Sequence, residues 1–451
     1  MTFDTALPIT EVVSGHYSQL VKHQRFSENY NDLHTRPFTV AETPLRISHI
    51  SFLHGDKSSY ESEQKHLQAL CDRYSINPPK LGDTCFYQSF GEFEVRWERH
   101  TEFSTYSFTI YGEDSKPFEH PPVSLIPTDW LQLIPGEVIS ALHVEVLDNG
   151  ASIQIPDKKT PDKEALRQYF EGQRLIGSEL RNGAATIWSA LRLHRDGFNR
   201  ILLLNSSLNE CQTGRVLRAL LELEGYRNMM LLAFPEAQQV SMQVSKMEAQ
   251  LARLVRQISG ERIVDEEQRQ LAELSDLAAA IAELIARSRY RFDAGQAYYQ
   301  MVQSRLGELE ENEINGLQTL SAFVDRRLSP ALRTVEAAKR RLDDLASRVD
   351  RASDFLRTRI DMAIEAQNQT LLKSMDRRAQ MQFRLQQTVE GLSVVVITYY
   401  VMGLMHYLFD AAHTFGLHFS SERTIAVMVP VVMLTTWILS RRMHKRISRT
   451  Q

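Results

Sequence analysis

The chain has 451 residues, 43% of them hydrophobic and 24% charged, with 52 Lys and Arg against 56 Asp and Glu. That length allows two or three domains, the apolar fraction excludes intrinsic disorder, and a net charge of −4 argues against bulk nucleic-acid binding, which needs a net basic face. Cys71, Cys85 and Cys211 form no CxxC pair and leave one over, which fits a reducing compartment better than a disulfide framework.

The first eight residues have neither a basic start nor an apolar run, so no cleaved secretory signal is expected. His34, His49, His54 and His66 follow, but no pair has the three- or four-residue spacing that sets two metal ligands on one helix face. They read as surface or internally hydrogen-bonded groups, with a metal-dependent enzyme at this stretch the weaker reading. LRISHISFL (45–53), FEVRWERH (93–100), TYSFTIYG (105–112) and ALHVEVLD (141–148) alternate like strands. ILLLN (201–205) and MMLLAF (229–234) read as short buried strands, and helical patterns intervene at 61–74, 162–170 and 214–224. Residues 1–237 are therefore expected to form an α+β (or α/β) cytoplasmic domain.

Thirteen of the 15 prolines lie at or before Pro235, and residues 238–390 contain only Pro330. There Val244, Met247, Leu251, Leu254 and Ile258 recur at three and four residues, as do Leu271, Leu274, Leu277, Ile281 and Leu284. After Pro330 the heptad-like spacing of Leu342, Leu345, Val349, Leu356, Ile360, Ile364 and Leu371 predicts a coiled-coil-like stalk, roughly 90 Å long if unbroken to residue 390. Acids at Asp343, Asp344, Asp350, Asp354 and Asp361 alternate with arginines, which is the pattern of a solvated ion-pair face.

Residues 391–409 and 424–440 contain no Lys, Arg, Asp or Glu. A helix needs about 20 apolar residues to cross a bilayer, so two transmembrane helices are expected there, joined by an external loop over 410–423. Arg377, Arg378 and Arg384 precede the first run, and a basic tail over 441–451 follows the second; the loop holds only Arg423 against Asp410 and Glu422. The positive-inside rule then puts both termini in the cytoplasm. On the first span Thr398, Met402 and His406 follow at four-residue steps as pore-lining candidates. Asp410, His413, His418 and Glu422 would make an external ring, and Arg441, Arg442, Lys445 and Arg446 a basic collar, in a symmetric oligomer. Pro430 falls within the second span. No phosphate loop, dinucleotide fingerprint, HExxH or GxSxG occurs, so no enzymatic activity is expected.

NDLHTRPF (31–38), YRFDAGQAYYQMVQSRLGEL (290–309), GLQTLSAFVDRRLSPALRT (316–334) and SMDRRAQMQFRLQQTVEGLSVVVITYYVMGL (374–404) resemble a bacterial membrane-anchored family of unknown function, DUF3422. That resemblance implies an inner-membrane location and supplies no activity. The arrangement of cytoplasmic domain, stalk, two C-terminal spans and basic tail is more distantly similar to the CorA magnesium-transporter superfamily. That similarity implies a homopentamer whose first spans line a pore for a divalent cation (Mg, Co, Ni or Zn), transported or regulatory. Against that superfamily's Tyr-Gly-Met-Asn signature the chain offers Tyr400, Val401, Met402 and Gly403, so the Asn amide that would meet the ion's water shell is replaced by glycine. Two functions are expected: an oligomeric divalent-cation channel or transporter, or a membrane-anchored coiled-coil scaffold whose N-terminal domain recruits a partner.

Overall fold

The structure is a computed structural model that describes residues 40–54, 59–114, 116–148, 163–258, 264–414 and 421–447. His34, His418 and the 31–38 segment lie outside them. An α+β domain is followed by long helices, and the chain divides into two compact units. One combines Met1–Arg253 with Asp276–Val349, the other Leu254–Ser275 with Asp350–Gln451.

The first unit is built on a nine-stranded sheet in the order β2-β3-β4-β1-β5-β8-β7-β6-β9. Its strands are β1 (Leu45–Leu53), β2 (Cys85–Ser89), β3 (Glu94–Arg99), β4 (Phe103–Tyr111), β5 (Glu137–Asp148), β6 (Ile176–Leu180), β7 (Ala185–Ser189), β8 (Asn199–Asn205) and β9 (Glu311–Glu313). Only β5 and β8 pair in parallel. Both faces are covered over β1, which explains why Leu45 and Ile47 on one side and Ile50 and Phe52 on the other are all buried.

On one face lie Ile47, Val144, Val146, Ile201 and Leu203. They pack on Val216, Leu220 and Leu223 of α4 (Glu210–Leu231) and on Val302 and Leu328 of two long helices. Asn209 and Gln212 form a reciprocal capping box at the start of α4, 2.9 and 3.0 Å, so the helix begins where its buried stripe begins. On the opposite face Val95, Trp97, Tyr106 and Phe108 pack on Leu67 and Leu70 of α1 (Tyr60–Arg73) and on Trp130 of α2 (Thr128–Leu131). Beyond them Leu147, Trp188 and Leu202 pack on Leu166 of α3 (Lys163–Arg167) and on Phe170.

The 229–234 run is helical, not a strand. Met229 and Met230 are fully buried on the last turns of α4, and α5 (Ala233–Ile258) starts at once. A short apolar run looks alike in a buried strand and a buried helix end. Pro235 is tolerated there because the first helical turn has no internal acceptor for its missing N–H.

The helices α6 (Val264–Glu308) and α7 (Leu320–Thr414) join through β9, which adds to β6 at the sheet edge. In the first unit α7 buries Val324, Leu328, Val335, Leu342, Leu345 and Val349, and Lys339 and Arg341 bond Asp293 of α6 (2.6 Å) and Glu248 of α5 (2.7 Å). In the second unit Leu356 and Ile360 are buried, as are Leu254, Ile258 and Leu274, and Arg359 meets Glu267 at 2.5 Å. Helix α7 then continues through Gly391 to Thr414, and α8 (Ser421–Ile447) resumes after residues 415–420, which are outside the described residues.

Candidate functional site

The C-terminal pair of helices carries the residues nominated by the sequence. In α7 an 18-residue window has mean hydropathy 1.5 and is 12% buried; it is long and apolar enough to cross a membrane. Helix α8 carries a shorter apolar stretch, Ala426–Ile438. The two touch along a narrow seam. Thr398, only 8% exposed, lies 3.3 Å from Thr436 across it, with Val394, Met402, Met405, Met428 and Val432 half-buried on the same side. Each threonine also donates to a carbonyl of its own helix, Thr398 to Val394 and Thr436 to Val432, both at 2.7 Å. The hydroxyls are thus satisfied without water, as a helix in hydrocarbon requires. Most side chains turned outward over this stretch are apolar or aromatic, including Leu392, Ile397, Tyr399, Tyr400, Leu404, Val427 and Leu434, and the exposed Ser393 and Thr435 each donate to a carbonyl of their own helix.

Thr398 and Met402 therefore share the seam, whereas His406 is exposed and pairs at 3.8 Å with exposed Asp410. Of the signature-like quartet, Tyr400 and Gly403 are exposed and line a shallow pocket of about 540 Å3 with Tyr399, Tyr407 and the half-buried Met402, while Val401 is half-buried and outside it. A side chain at Gly403 would meet nothing within 4 Å. Arg442 is exposed. The side chains of His413, Glu422, Arg441, Lys445 and Arg446 lie outside the described residues, as does His418 altogether. Among the described residues no group of three or more His, Cys, Asp and Glu could hold a metal ion.

The sheet supplies a second set of polar groups. A cavity of about 80 Å3 lies between β1, β3 and β4 on one side and α4 on the other. Here His49 Nδ1 is 2.8 Å from Ser107 Oγ, its partner across the ladder, and Arg96 pairs with Glu98 at 2.7 Å. Tyr87 and Tyr111 both donate to Glu94. Burial, with Glu94 alongside, pushes the Tyr111 hydroxyl up to about 12. Burial drives His49 down to about 4, so it is neutral near pH 7, and its Nε2 has no partner. Among the described residues no carboxylate hydrogen-bonds the His49 imidazole, whose partner is Ser107.

Two further Ser–His pairs cross neighbouring strands or their ends, Ser48 with His143 (3.0 Å) and Ser104 with His54 (2.9 Å). Ser104 also donates to the fully buried Glu63 (2.6 Å), which Arg99 meets from the other side. His66 stacks on Trp130 with centroids 4.4 Å apart. These pairs make His49, His54 and His66 internal packing partners, the reading their spacing favoured. Glu145 was not singled out from the sequence. It is buried, accepts one bond from the Phe118 amide (3.3 Å), and burial raises it to about 8. Its strand, ALHVEVLD, placed a carboxylate in a central alternating run, which was the available signal.

No curated protein and no solved structure matches the chain. One family model does, described as a protein of unknown function (DUF3422), over residues 22–447. Since that match spans nearly the whole chain, the protein belongs to the DUF3422 family.

Proposed function

We propose that this protein is a membrane-tethered scaffold. Helices α7 and α8 cross the bilayer as a hairpin, both termini lie in the cytoplasm, and the sheet domain recruits a partner on that side. The observation that carries the reading is the outward-facing apolar surface of the hairpin around a seam of self-satisfied threonines. Leu392, Ile397, Leu404, Leu408, Val427 and Leu434 are each about half or more exposed. Left in water, those six forgo roughly 5–10 kcal/mol of burial free energy, as much as the net stability of a whole domain. A bilayer supplies that burial. The basic residues before 391 and after 440 favour the proposed orientation. The apolar side chains between Leu371 and Leu385, all exposed on α7, favour self-association through this segment. Alkaline carbonate extraction of membranes tests the anchor: retention in the pellet supports it, and release overturns it.

Conduction is the second reading, favoured by the unbroken run of α7 from the sheet domain through Gly391. In a CorA-like homopentamer the side of α7 bearing Tyr400, Gly403 and Tyr407 would line the axis, because Thr398 is engaged with Thr436 of α8. Uptake of Mg²⁺, Co²⁺, Ni²⁺ or Zn²⁺ by liposomes holding the purified protein supports this reading, and a five-fold ring in detergent is its expected assembly. No flux, with a dimer, leaves the tether.

A further inference from the structure

A cleft of about 1130 Å3 opens in the sheet unit beside β6 and β7. Its wall is arginine: Arg167 on α3, Arg174 before β6, Arg192 after β7, Arg227 on α4, and Arg326 and Arg327 on α7. Glu164 is the one acid among the lining residues, so six positive charges face one negative in a chain whose net charge is −4. Glu164 holds Arg167 at 2.6 Å and Glu224 holds Arg227 at 2.5 Å. Among the described residues, no carboxylate pairs with Arg174, Arg192, Arg326 or Arg327, and all four are exposed.

Elsewhere in this unit several arginines that bridge two elements meet a carboxylate. Arg291 meets Glu102, Arg305 meets Glu222 at 2.5 Å, and Arg341 meets Glu248 at 2.7 Å. The cleft breaks that pattern. Like charges gathered in a concavity repel one another, and each guanidinium presents a planar fork of donors that water satisfies less well than an oxyanion does. The sequence string at residues 316–334 supplies one wall, with Gln318 adding an amide and Phe323 joining Leu231 and Phe234 in an apolar floor.

We propose that this cleft binds a ligand bearing more than one phosphate charge, gripped by Arg174, Arg192, Arg326 and Arg327. Phosphate fits better than carboxylate, since each group brings up to two charges and three acceptor oxygens, and four unpaired guanidinium groups need both. The ligand is a soluble polyphosphate or a phospholipid headgroup, which share that chemistry. The site does not depend on how the protein is anchored.

Calorimetric titration of the full chain in detergent tests it with two probes, inorganic pyrophosphate and water-soluble dihexanoyl phosphatidic acid. The expected result is saturable binding of at least one probe, weakened about tenfold or more in R326Q/R327Q and in R174Q/R192Q. R326K/R327K, which keeps the charge but loses the fork, falls between, and R215Q, an exposed arginine of α4 outside the cleft, binds as the wild type does. Tighter pyrophosphate binding assigns the site to a soluble ligand, and tighter lipid binding to a headgroup. No saturable binding of either probe, or undiminished binding by R326Q/R327Q, overturns the proposal.

Discussion

Two stretches of α7 look alike in sequence and differ in surroundings. From Val324 to Val349 an apolar side chain is buried every three or four residues, among them Leu328, Val335, Leu342 and Leu345, and Leu356 and Ile360 are buried beyond them. From residue 361 to 389 the apolar side chains continue, at Ile364, Leu371, Met375, Met381 and Leu385, and none is buried. Periodicity therefore reports that a helix has a face. It says nothing of what covers it, which depends on helices elsewhere in the chain, on a second copy or on lipid.

Ending the chain at residue 389 gives the largest expected effect. The shortened protein leaves the membrane pellet for the aqueous fraction, while the full chain needs detergent; a truncated protein that still pellets with membranes breaks the contrast. Next in size, Leu345→Ala, at a fully buried position, costs about 2–5 kcal/mol in denaturant titration, whereas Leu372→Ala, in the exposed stretch, costs less than about 0.5 kcal/mol at high dilution. A concentration-dependent loss in Leu372→Ala would identify a second copy as the cover.

The third test uses pH. In the fold Glu145 keeps its proton up to about pH 8, against 4.5 for an unperturbed carboxyl. The folded state therefore binds more protons than the unfolded state between those values, and stability falls as pH rises through the window. His49 and His143, lowered from 6.5 to about 4, act oppositely: the unfolded chain binds more protons there, so they cost stability as pH falls from 6.5 towards 4. Glu145→Gln is expected to gain on the wild type by on the order of 1–3 kcal/mol between pH 5 and pH 8. A pH-independent difference contradicts the assignment. The smallest effect belongs to Thr398→Val, which loses the contact with Thr436 and about 0.6 kcal/mol of hairpin stability, read by unfolding in micelles.

Much of the fold was legible. The alternation at 45–53 marks β1 to the residue, and the edges of β3, β4 and β5 fall within a few residues of their patterns. The β6–β7 hairpin escaped notice although Asn182 and Gly183, both with positive φ (57° and 84°), mark its turn; an Asn-Gly pair between apolar runs is the local signal for it. Strands β2 and β9 carried less, being an exposed edge strand and a three-residue strand. The site was less legible than the fold. Thr398 was singled out by helical step alone, and step cannot tell a seam with α8 from a pore. The arginine cleft gathers residues from 167 to 327 of the chain, a convergence that no linear pattern carries.

The proposal that α7 and α8 both cross the bilayer is tested most directly by labelling single added cysteines with a membrane-impermeant maleimide in intact cells. Gly416→Cys, between α7 and α8, is predicted to react before lysis, and Gln451→Cys only after it. Protection of the residue at 416 in intact cells, or labelling at 451 without lysis, would contradict a hairpin anchored from the cytoplasm.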